Sequence, residues 1–471
     1  MSGVVLALLL VQAVGGVDRT KPPTLPPPPA LKLPPVRTTT LPNGLDLAVV
    51  EIHKVPVVDI SLVLDAGAVR DPANLPGLAT FTATMLQQGA GRRSALDIAD
   101  EAAFLGAQLS SAAGFDVATV SLHVPKRRLA AALDLLSDVV LHPTFPDSEV
   151  TRQRELRRTQ LIQQRDEPTQ VASVAFPAIV YGAAHPYGRP LAGNDSSVTG
   201  LSRERVVAFY DSFYRPNVAR LLVVGDVTLD EARQLVTASF GAWARGDALA
   251  TAVGAAPQPS PRTIYLIDKP GAAQSVMRIG HVGPARGTPD YFALQVLNTI
   301  LGGAFTSRLN QNLRETHGYT YGAGSQFALR RAGGPFVAQA SVVTAKTDSA
   351  LIEFLKELRR IRDEAVPAAE LDKAKQYINL GLPGDFETTA GAAFRFRDLL
   401  VYGLPLDYFS GYADRINAVT AADVQRVAQR YIDPDRFDIV IVGDRSQIEA
   451  GLKALNEGPI VYRDLWGQVL P

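Results

Sequence analysis

The spacing of apolar and polar residues along the chain predicts an alternation of strands and helices. After an Asn-Gly turn, the β-branched runs LDLAVVEI and VVDISLVLDAG predict two neighbouring strands. The stretch GLATFTATMLQQGAG, residues 77–91, then predicts a helix that ends at a glycine turn. Farther along, residues 147–168 predict a long charged helix that stops at its proline. This mixture of elements predicts an α+β fold.

The same order of elements occurs twice in the chain. YRPNVARLLVVGD, which begins at Tyr214 and closes the first half, returns as YIDPDRFDIVIVGD from Tyr431. A repeat of this length indicates a duplicated domain rather than a solenoid unit. We therefore predict two homologous α+β domains, each a mainly antiparallel sheet with helices packed on one side.

Shifts in composition set the boundaries of these two domains. We place the first at residues 41–246 and the second at residues 263–465, followed by a tail at residues 466–471. Between the two, residues 247–262 are rich in Ala, Gly, Pro and Ser and predict a linker. Residues 17–40 are dense in proline, which favours extended chain over helix or sheet, and predict a spacer.

The first residues of the chain are typical of a secretory signal peptide. An apolar run from Val4 to Val14 is followed by small residues, and we assign the signal to residues 1–16. No Lys or Arg precedes the run, so a plain N-terminal strand is the alternative. We expect the protein to be secreted or periplasmic. No other apolar stretch reaches about 18 residues, so no transmembrane helix is predicted.

Charge and residue counts argue against several kinds of site. The 471-residue chain has 47 basic and 47 acidic side chains, a balance that argues against nucleic-acid binding. It has no cysteine, which excludes thiolate metal sites and cysteine nucleophiles. None of its six histidines lies three to five residues from another, so no local histidine pair is available to a metal.

Two stretches carry a resemblance to a known family. The opening of the first domain, from LPNGLDLAVVE to TMLQQGA, and LGGAFTSRLNQNLRETHGYTYGAGS at residues 301–325 resemble the pitrilysin/insulinase-type zinc metallopeptidases, or inverzincins. From about Leu41 to its last residue, the chain looks closest to the short, two-domain, processing-peptidase-like members. Those members act as pairs of chains. The resemblance therefore implies that this chain forms half of a clam-shell chamber.

The resemblance also locates the zinc site that the family uses. There, H-x-x-E-H on the opening helix supplies two zinc ligands and a general base, and a later Glu supplies the third ligand. In this chain the ligand positions fall on Thr80 and Thr84, the base position on Ala83 and the distal position on Gln160. These neutral side chains predict a lost zinc site. We expect no cofactor in this chain and zinc in a homologous partner chain.

In active members of the family, an Arg and a Tyr of the second domain reach the substrate. Arg314 and Tyr321 in RETHGYTY match that pair, and the resemblance implies catalytic roles for both. A guanidinium can hold a peptide carbonyl or carboxylate, and a phenol can donate to a developing oxyanion. The alternative is that Arg314 pairs with a carboxylate such as Glu315 or Asp290, and that Tyr321 lies in the core.

A glycine pair lies shortly before this motif. Gly302 and Gly303 follow an apolar helix, but the surrounding residues lack the spacing of a phosphate-binding loop. The resemblance implies a turn that lets the substrate backbone approach closely. Both glycines are therefore candidate substrate-binding residues.

Two functions follow from these observations. In the first, the chain is a zinc-deficient peptidase subunit that is inactive alone. It pairs with an H-x-x-E-H-bearing chain, encloses and cleaves peptides, and supplies Arg314 and Tyr321 in trans. In the second, it is a non-catalytic peptide-binding or scaffold protein on the same fold. The loss of chemical groups is confined to the first domain, which favours the first function.

Overall fold

The computed structural model describes residues 31–247, 253–257 and 260–470. The predicted signal peptide at residues 1–16 lies outside the described residues. The same holds for the proline-rich spacer up to residue 30 and for much of the predicted linker between the domains. The residues from Leu33 onward belong to one unit.

The described strands alternate with helices along the chain, as the apolar pattern predicts. The strands are Val36–Thr40 (β1), Asp46–Glu51 (β2), Val57–Leu64 (β3), Gly89–Ala90 (β4), Arg93–Ser94 (β5), Gln108–Ala113 (β6), Ala118–Pro125 (β7), Ala219–Gly225 (β8), Thr263–Asp268 (β9), Gln274–Val282 (β10), Thr320–Phe327 (β11), Pro335–Val343 (β12), Asp438–Gly443 (β13) and Ile460–Arg463 (β14).

The helices occupy the segments between these strands. They are Leu78–Met85 (α1), Ala95–Leu105 (α2), Leu129–Leu141 (α3), Asp147–Asp166 (α4), Pro168–Tyr181 (α5), Asp195–Thr199 (α6), Arg203–Phe213 (α7), Leu229–Phe240 (α8), Tyr291–Asn298 (α9), Arg308–Asn310 (α10), Thr347–Asp363 (α11), Ala368–Gly381 (α12), Thr389–Tyr402 (α13), Tyr412–Ala418 (α14), Ala421–Tyr431 (α15) and Arg445–Leu455 (α16). Among the described residues, no helix is both long enough and apolar enough to cross a bilayer.

The duplication is visible in two six-stranded sheets. The first has the order β1-β2-β8-β3-β7-β6 and the second the order β11-β12-β10-β13-β9-β14. Most neighbours are antiparallel, whereas β2 with β8, β9 with β13 and β9 with β14 are parallel. The predicted α+β fold with two mainly antiparallel sheets is confirmed.

One strand pairing differs from the expectation. The runs LDLAVVEI and VVDISLVLDAG were predicted to be neighbours, but β8 lies between β2 and β3. It pairs parallel with β2 and antiparallel with β3. Six of the seven residues of β8 are buried, as expected for a strand in the middle of a sheet that helices cover on both faces.

The folded part of the chain extends beyond two predicted boundaries. Strand β1 lies inside the segment predicted to be spacer and pairs antiparallel with β2. Strand β1 follows the last proline of that segment, so each of its residues keeps a backbone amide. The amides that face β2 can donate to it, and the others face the edge of the sheet. At the other end, Trp466 of the predicted tail packs against the core of the first half.

Each sheet is covered on its second face by a helix from the other half of the chain. Helix α5 places Val171, Ala175 and Phe176 on the second sheet, where they pack with Val440 and Val442 of β13. Helix α13 in turn lies against β3 and β8 of the first sheet. The predicted arrangement, with helices on one side of each sheet, therefore holds only for the helices of the same half. The other side of each sheet is covered by a helix from the other half.

This exchange of helices predicts that the two halves unfold together. Ala175 is fully buried between α5 and the second sheet. Arg at this position would bury an unpaired charge, and we expect Ala175→Arg to lower the free energy of unfolding by about 3 kcal/mol or more. Urea unfolding followed by circular dichroism measures this change. A matched Gln170→Arg change on the exposed side of α5 should have little effect. Loss of stability in only one of two separate transitions would contradict the prediction.

Candidate functional site

The first candidate site surrounds the start of helix α1. The helix begins after Gly77, whose φ of 94° is a left-handed conformation that favours glycine. Gly77 has no side chain with which to cap the helix, and Asp71 does so from the preceding loop. Its carboxylate accepts hydrogen bonds from the Gly77 amide at 2.8 Å and the Ala79 amide at 2.7 Å. Burial raises the pKa of the Asp71 carboxyl to about 7.

The predicted zinc-ligand positions lie on this helix and are engaged in other contacts. Thr80 Oγ1 lies 2.6 Å from the Leu191 carbonyl oxygen, and Thr84 Oγ1 donates to the Thr80 carbonyl oxygen at 3.0 Å. Ala83, at the position of the general base, is buried. Gln160 is exposed on α4. Hydroxyl, methyl and amide groups occupy the four positions.

Arg157 of α4 lies against the first of these positions. Its Nη1 donates to Thr80 Oγ1 at 2.8 Å and to the Gly77 carbonyl oxygen at 3.3 Å. The guanidinium carbon lies 5.4 Å from the centre of the Phe81 ring. Burial lowers the pKa of Arg157 to about 10, so the side chain is still a cation at neutral pH. A fixed positive charge therefore sits beside the first ligand position.

Arg157 is not among the residues predicted from the sequence. The signal was available, because Arg157 precedes Gln160 by one helical turn and therefore lies on the same face of α4. What the pattern does not show is that this face of α4 meets α1. That contact depends on the tertiary fold.

The residues around α1 do not fit a zinc ion. Zinc in proteins takes imidazole, thiolate or carboxylate ligands, and a nearby cation opposes its binding. Thr80 and Thr84 offer none of these three ligands, and Arg157 adds the opposing charge. Within the described part of the chain, no cluster of three or more His, Cys, Asp or Glu residues could hold a metal ion.

The second candidate site is formed by Arg314 and Tyr321. The guanidinium carbon of Arg314 lies 4.6 Å from the centre of the Phe305 ring and 4.9 Å from the centre of the Tyr321 ring. Phe305 is 62% exposed and Tyr321 is 85% exposed. The structure therefore brings the two predicted catalytic side chains together, on the surface, with an aromatic ring that the sequence analysis had not singled out.

The alternative, in which Arg314 pairs with a carboxylate and Tyr321 lies in the core, agrees with the structure only in part. Arg314 Nε lies 3.3 Å from Glu315 Oε1, so Arg314 does contact one of the two suggested carboxylates. Asp290 is instead bound by Arg426 at 2.8 Å and by Arg430 at 3.0 Å. Tyr321 does not lie in the core. Glu315 therefore takes up only part of the hydrogen-bonding capacity of a side chain with five N–H donors.

A β-bulge directs Tyr321 outward. The register of β11 against β12 shifts between Thr320 and Ala323, so two residues lie outside the regular ladder. Thr320 Oγ1 stabilises the bulge by accepting from the Gly322 amide at 3.1 Å. Asn310 holds the adjacent chain, because its amide donates to the Phe305 carbonyl oxygen at 2.7 Å and its oxygen accepts from the Ala323 amide at 3.2 Å.

The two candidate glycines have different surroundings. A groove of about 590 Å³ is lined by Phe305, Arg314 and Tyr321, and Gly302 contributes to its wall. A Cβ on Gly302 would lie 2.2 Å from the Ser325 amide nitrogen, so a side chain here would push β11 away. Gly303 is exposed and does not line this groove. Gly302 therefore shapes the groove, and its absence of a side chain is required by packing.

Comparison with known families places this chain. Residues 47–195 match the model described as Insulinase (Peptidase family M16), and residues 200–378 match the model described as Peptidase M16 inactive domain. The two matches together span more than half of the chain. This chain belongs to the insulinase (M16) peptidase family. The resemblance seen in the sequence is confirmed.

Individual relatives agree with this assignment to the M16 family. An uncharacterized zinc protease of Mycobacterium tuberculosis is 28% identical over 418 residues, which are 88% of this chain and 94% of the relative. A solved structure of a peptidase M16 inactive domain from Pseudomonas fluorescens has a TM-score of 0.82 at 27% identity and covers 87% of this chain and 98% of that chain. A Helicobacter pylori protease has a TM-score of 0.82 at 20% identity, covers 87% of this chain and 100% of that chain, and supports the fold.

Asp71 makes the stability of this M16 chain dependent on pH. Because its pKa is raised from 3.8 to about 7, the folded state retains a proton that the unfolded chain releases between these values. Stability from this group is present below about pH 4 and is lost as pH rises towards 7. We expect the free energy of unfolding of the wild type, relative to Asp71→Asn, to fall by about 2–4 kcal/mol between pH 4 and pH 8. Chemical denaturation at several pH values measures both free energies. The same pH dependence for the wild type and for Asp71→Asn would contradict this prediction.

Arg157 should oppose zinc even when the family's ligands are restored. We consider a variant carrying Thr80→His, Ala83→Glu, Thr84→His and Gln160→Glu. Adding Arg157→Ala should tighten its zinc affinity by about tenfold or more, because a positive charge beside the metal is removed.

Competition with a chromophoric chelator measures the zinc affinity of these variants. Arg158→Ala is the matched control, since Arg158 is exposed on the same helix and pairs with Glu155 at 3.6 Å. Equal zinc affinities with and without Arg157 would show that its charge does not act on the site.

Proposed function

We propose that this chain is a zinc-deficient subunit of an M16 peptidase. It pairs with a homologous chain that bears H-x-x-E-H, forms half of a clam-shell chamber with it and encloses peptide substrates. In this arrangement Arg314 and Tyr321 act in trans on a peptide bound at the zinc of the partner chain. This chain alone has no peptidase activity and needs no cofactor of its own.

One observation carries this proposal: the side chains of the first candidate site bond to one another, whereas those of the second lie exposed at the surface. At the first site, Thr80 and Arg157 satisfy each other by a hydrogen bond of 2.8 Å. At the second site, Phe305 and Tyr321 are held on the surface around a guanidinium. Two exposed aromatic rings beside a guanidinium present an apolar and cationic surface of a kind that can receive a ligand.

The geometry of the second site suggests what each residue does. The Tyr321 hydroxyl can donate to the carbonyl oxygen of the scissile peptide and hold the negative charge that develops there. Arg314 keeps N–H donors beyond those facing Glu315, and these can hold a second carbonyl or a carboxylate of the peptide. The zinc of the partner chain would supply the activated water. Phe305 covers one face of Arg314 and limits its motion.

A non-catalytic role is the second candidate, and the first site supports it. All four positions that the family uses for zinc chemistry carry other residues, and the half-buried Arg157 bonds to Thr80 at the first of them. A chain of this kind could bind peptides or act as a scaffold. The two candidates differ in one respect: only a peptidase subunit requires Arg314 and Tyr321 for turnover.

We further propose that the complex acts outside the cytoplasm. The apolar run from Val4 to Val14 with its small-residue end supports an exported protein. Protein sequencing of the N-terminus of the mature chain would test this, with cleavage near residue 16 as the expected result. Retention of Met1 in the exported form would contradict the assignment.

Peptidase assays on the purified two-chain complex test the catalytic proposal. We expect Tyr321→Phe to lower kcat by about tenfold or more with a small change in KM, because the hydroxyl acts on the transition state. Arg314→Gln should raise KM as well, because it also holds the ground-state peptide. The isolated chain should cleave nothing.

Matched variants make the result decisive. Tyr377→Phe removes the hydroxyl of another exposed tyrosine that lies outside the groove, and the rate should not change. Full activity of the complex with Tyr321→Phe and with Arg314→Gln would exclude the role in trans and favour the scaffold. Failure to isolate any H-x-x-E-H-bearing partner chain would do the same.

A further inference from the structure

A second cavity, of about 310 Å³, lies between the two halves of the chain. Its wall comes from α4, α5 and the loop before α6 in the first half, and from β10, β11 and β12 in the second. Three arginines contribute to the wall, namely Arg189, Arg278 and Arg330. Among the described residues that line the cavity, none is Asp or Glu. The cavity is separate from the groove beside Tyr321.

Arg278 enters this cavity from the middle of the second sheet. It lies on β10, which is paired on both sides, and its Nη2 donates to Ser173 Oγ of α5 at 2.7 Å. Its Nε is buried and has no hydrogen-bond partner in the described residues. No carboxylate of the described chain forms an ion pair with it, and burial alone lowers its pKa. A half-buried cation with no carboxylate partner is costly without a ligand.

Arg330 reaches the cavity from the β11–β12 loop. Its guanidinium carbon lies 3.8 Å from the ring centre of Phe115 and 4.6 Å from that of Tyr187. Its Nη1 is buried and likewise has no partner in the described residues. Asp116 is the acid whose charge acts on it, but that carboxylate accepts from the Tyr187 hydroxyl at 2.5 Å and from the Arg331 amide at 3.0 Å.

The next residue in the same loop shows what a structural arginine looks like in this fold. Arg331 Nη2 lies 2.6 Å from Asp65 Oδ1, and its Nε donates to the Val401 carbonyl oxygen at 2.8 Å. Arg331 thus has a carboxylate partner, whereas Arg330 has none among the described residues. The difference between two adjacent residues argues that Arg330 is not simply part of the contact between the halves.

Arg189 adds positive charge to the same wall. Its guanidinium donates only to backbone carbonyl oxygens, those of Ala183, Ala184 and Asp71, at 2.8–3.3 Å. These bonds fix the side chain, and no carboxylate of the described residues forms an ion pair with it, although its charge acts on Asp71. The field of the three cations in a partly enclosed space favours an anion.

We propose that this cavity binds a carboxylate carried on an apolar group. Planar guanidinium groups match the two oxygens of a carboxylate, and Arg278 and Arg330 line the cavity without an ion pair to any carboxylate of the described residues. The remaining wall is largely apolar and includes Phe176, Leu191 and Val337, which suit a branched or aromatic side chain. A free amino-acid derivative and the C-terminal residue of a peptide both have this chemistry. The site does not depend on the partner chain.

Isothermal titration calorimetry on the full chain tests this proposal with N-acetyl-leucine and its amide. The acid should bind at least about tenfold more tightly than the amide, because only the acid carries a negative charge that can pair with the arginines. Arg278→Gln and Arg330→Gln should each weaken binding of the acid by about tenfold or more. Arg158→Gln, on the exposed side of α4, should not change it.

Stability supplies a second readout that separates binding from structure. Without ligand, Arg278→Met should raise the midpoint of thermal unfolding, because it replaces a half-buried, unpaired charge by an apolar side chain of similar length. A structural arginine would behave in the opposite way, and a lower midpoint or a failure to fold would overturn the proposal. Equal affinity for acid and amide, or binding unchanged in both Gln variants, would also overturn it.

Two further probes define the ligand. Inorganic phosphate should bind more weakly than N-acetyl-leucine, and equal affinity would contradict the apolar part of the proposal. A decapeptide that ends in leucine, with a free or an amidated terminus, distinguishes the two sources of the carboxylate. Binding of the free-terminus peptide alone assigns the site to peptide C-termini. Exclusion of both peptides, with N-acetyl-leucine still bound, assigns it to a small acid.

Discussion

The contact on which the rest of this structure depends is the exchange of helices between the two sheets. Strand β8 buries Leu221 and Val223 in the core of its own half, and Leu222 and Val224 are buried on the opposite face. Strands that are apolar at every position need cover on both sides. Each half has enough helices for one face only, so α13 covers the first sheet and α5 the second. The duplicated domains are therefore one folding unit, and the arginine-lined cavity lies where α5 crosses the second sheet.

The periodicity of the sequence was enough to predict most elements. Helix α4 ends before its proline as expected, and Ser94 caps α2 through the Asp97 amide at 3.2 Å. The pairing of strands was not predictable in the same way, because an apolar run shows that a strand is buried but does not show which strand lies beside it. The central position of β8 depends on contacts between residues far apart in the chain. The same reason hid the packing of Trp466 on the first half.

The second candidate site was likewise predictable only where it depends on local sequence. The spacing of Arg314 and Tyr321 is local, so a resemblance could place both residues, and the structure brings them within reach of one another. The bulge that turns Tyr321 outward and the contribution of Phe305 come from the pairing of β11 with β12 and from Asn310. These long-range contacts leave no pattern in the sequence.

The side chains of the first candidate site form a connected set of contacts. At the positions that the resemblance assigns to zinc ligands, Arg157 places a positive charge beside Thr80, stacks on Phe81 and bonds to the helix start that Asp71 caps. The charges of the buried Asp71 carboxyl and the half-buried Arg157 guanidinium each offset part of the desolvation cost of the other. These contacts are made within the chain. In the second half, by contrast, the guanidinium of Arg314 lies at the surface between two exposed rings and keeps N–H donors that Glu315 does not use.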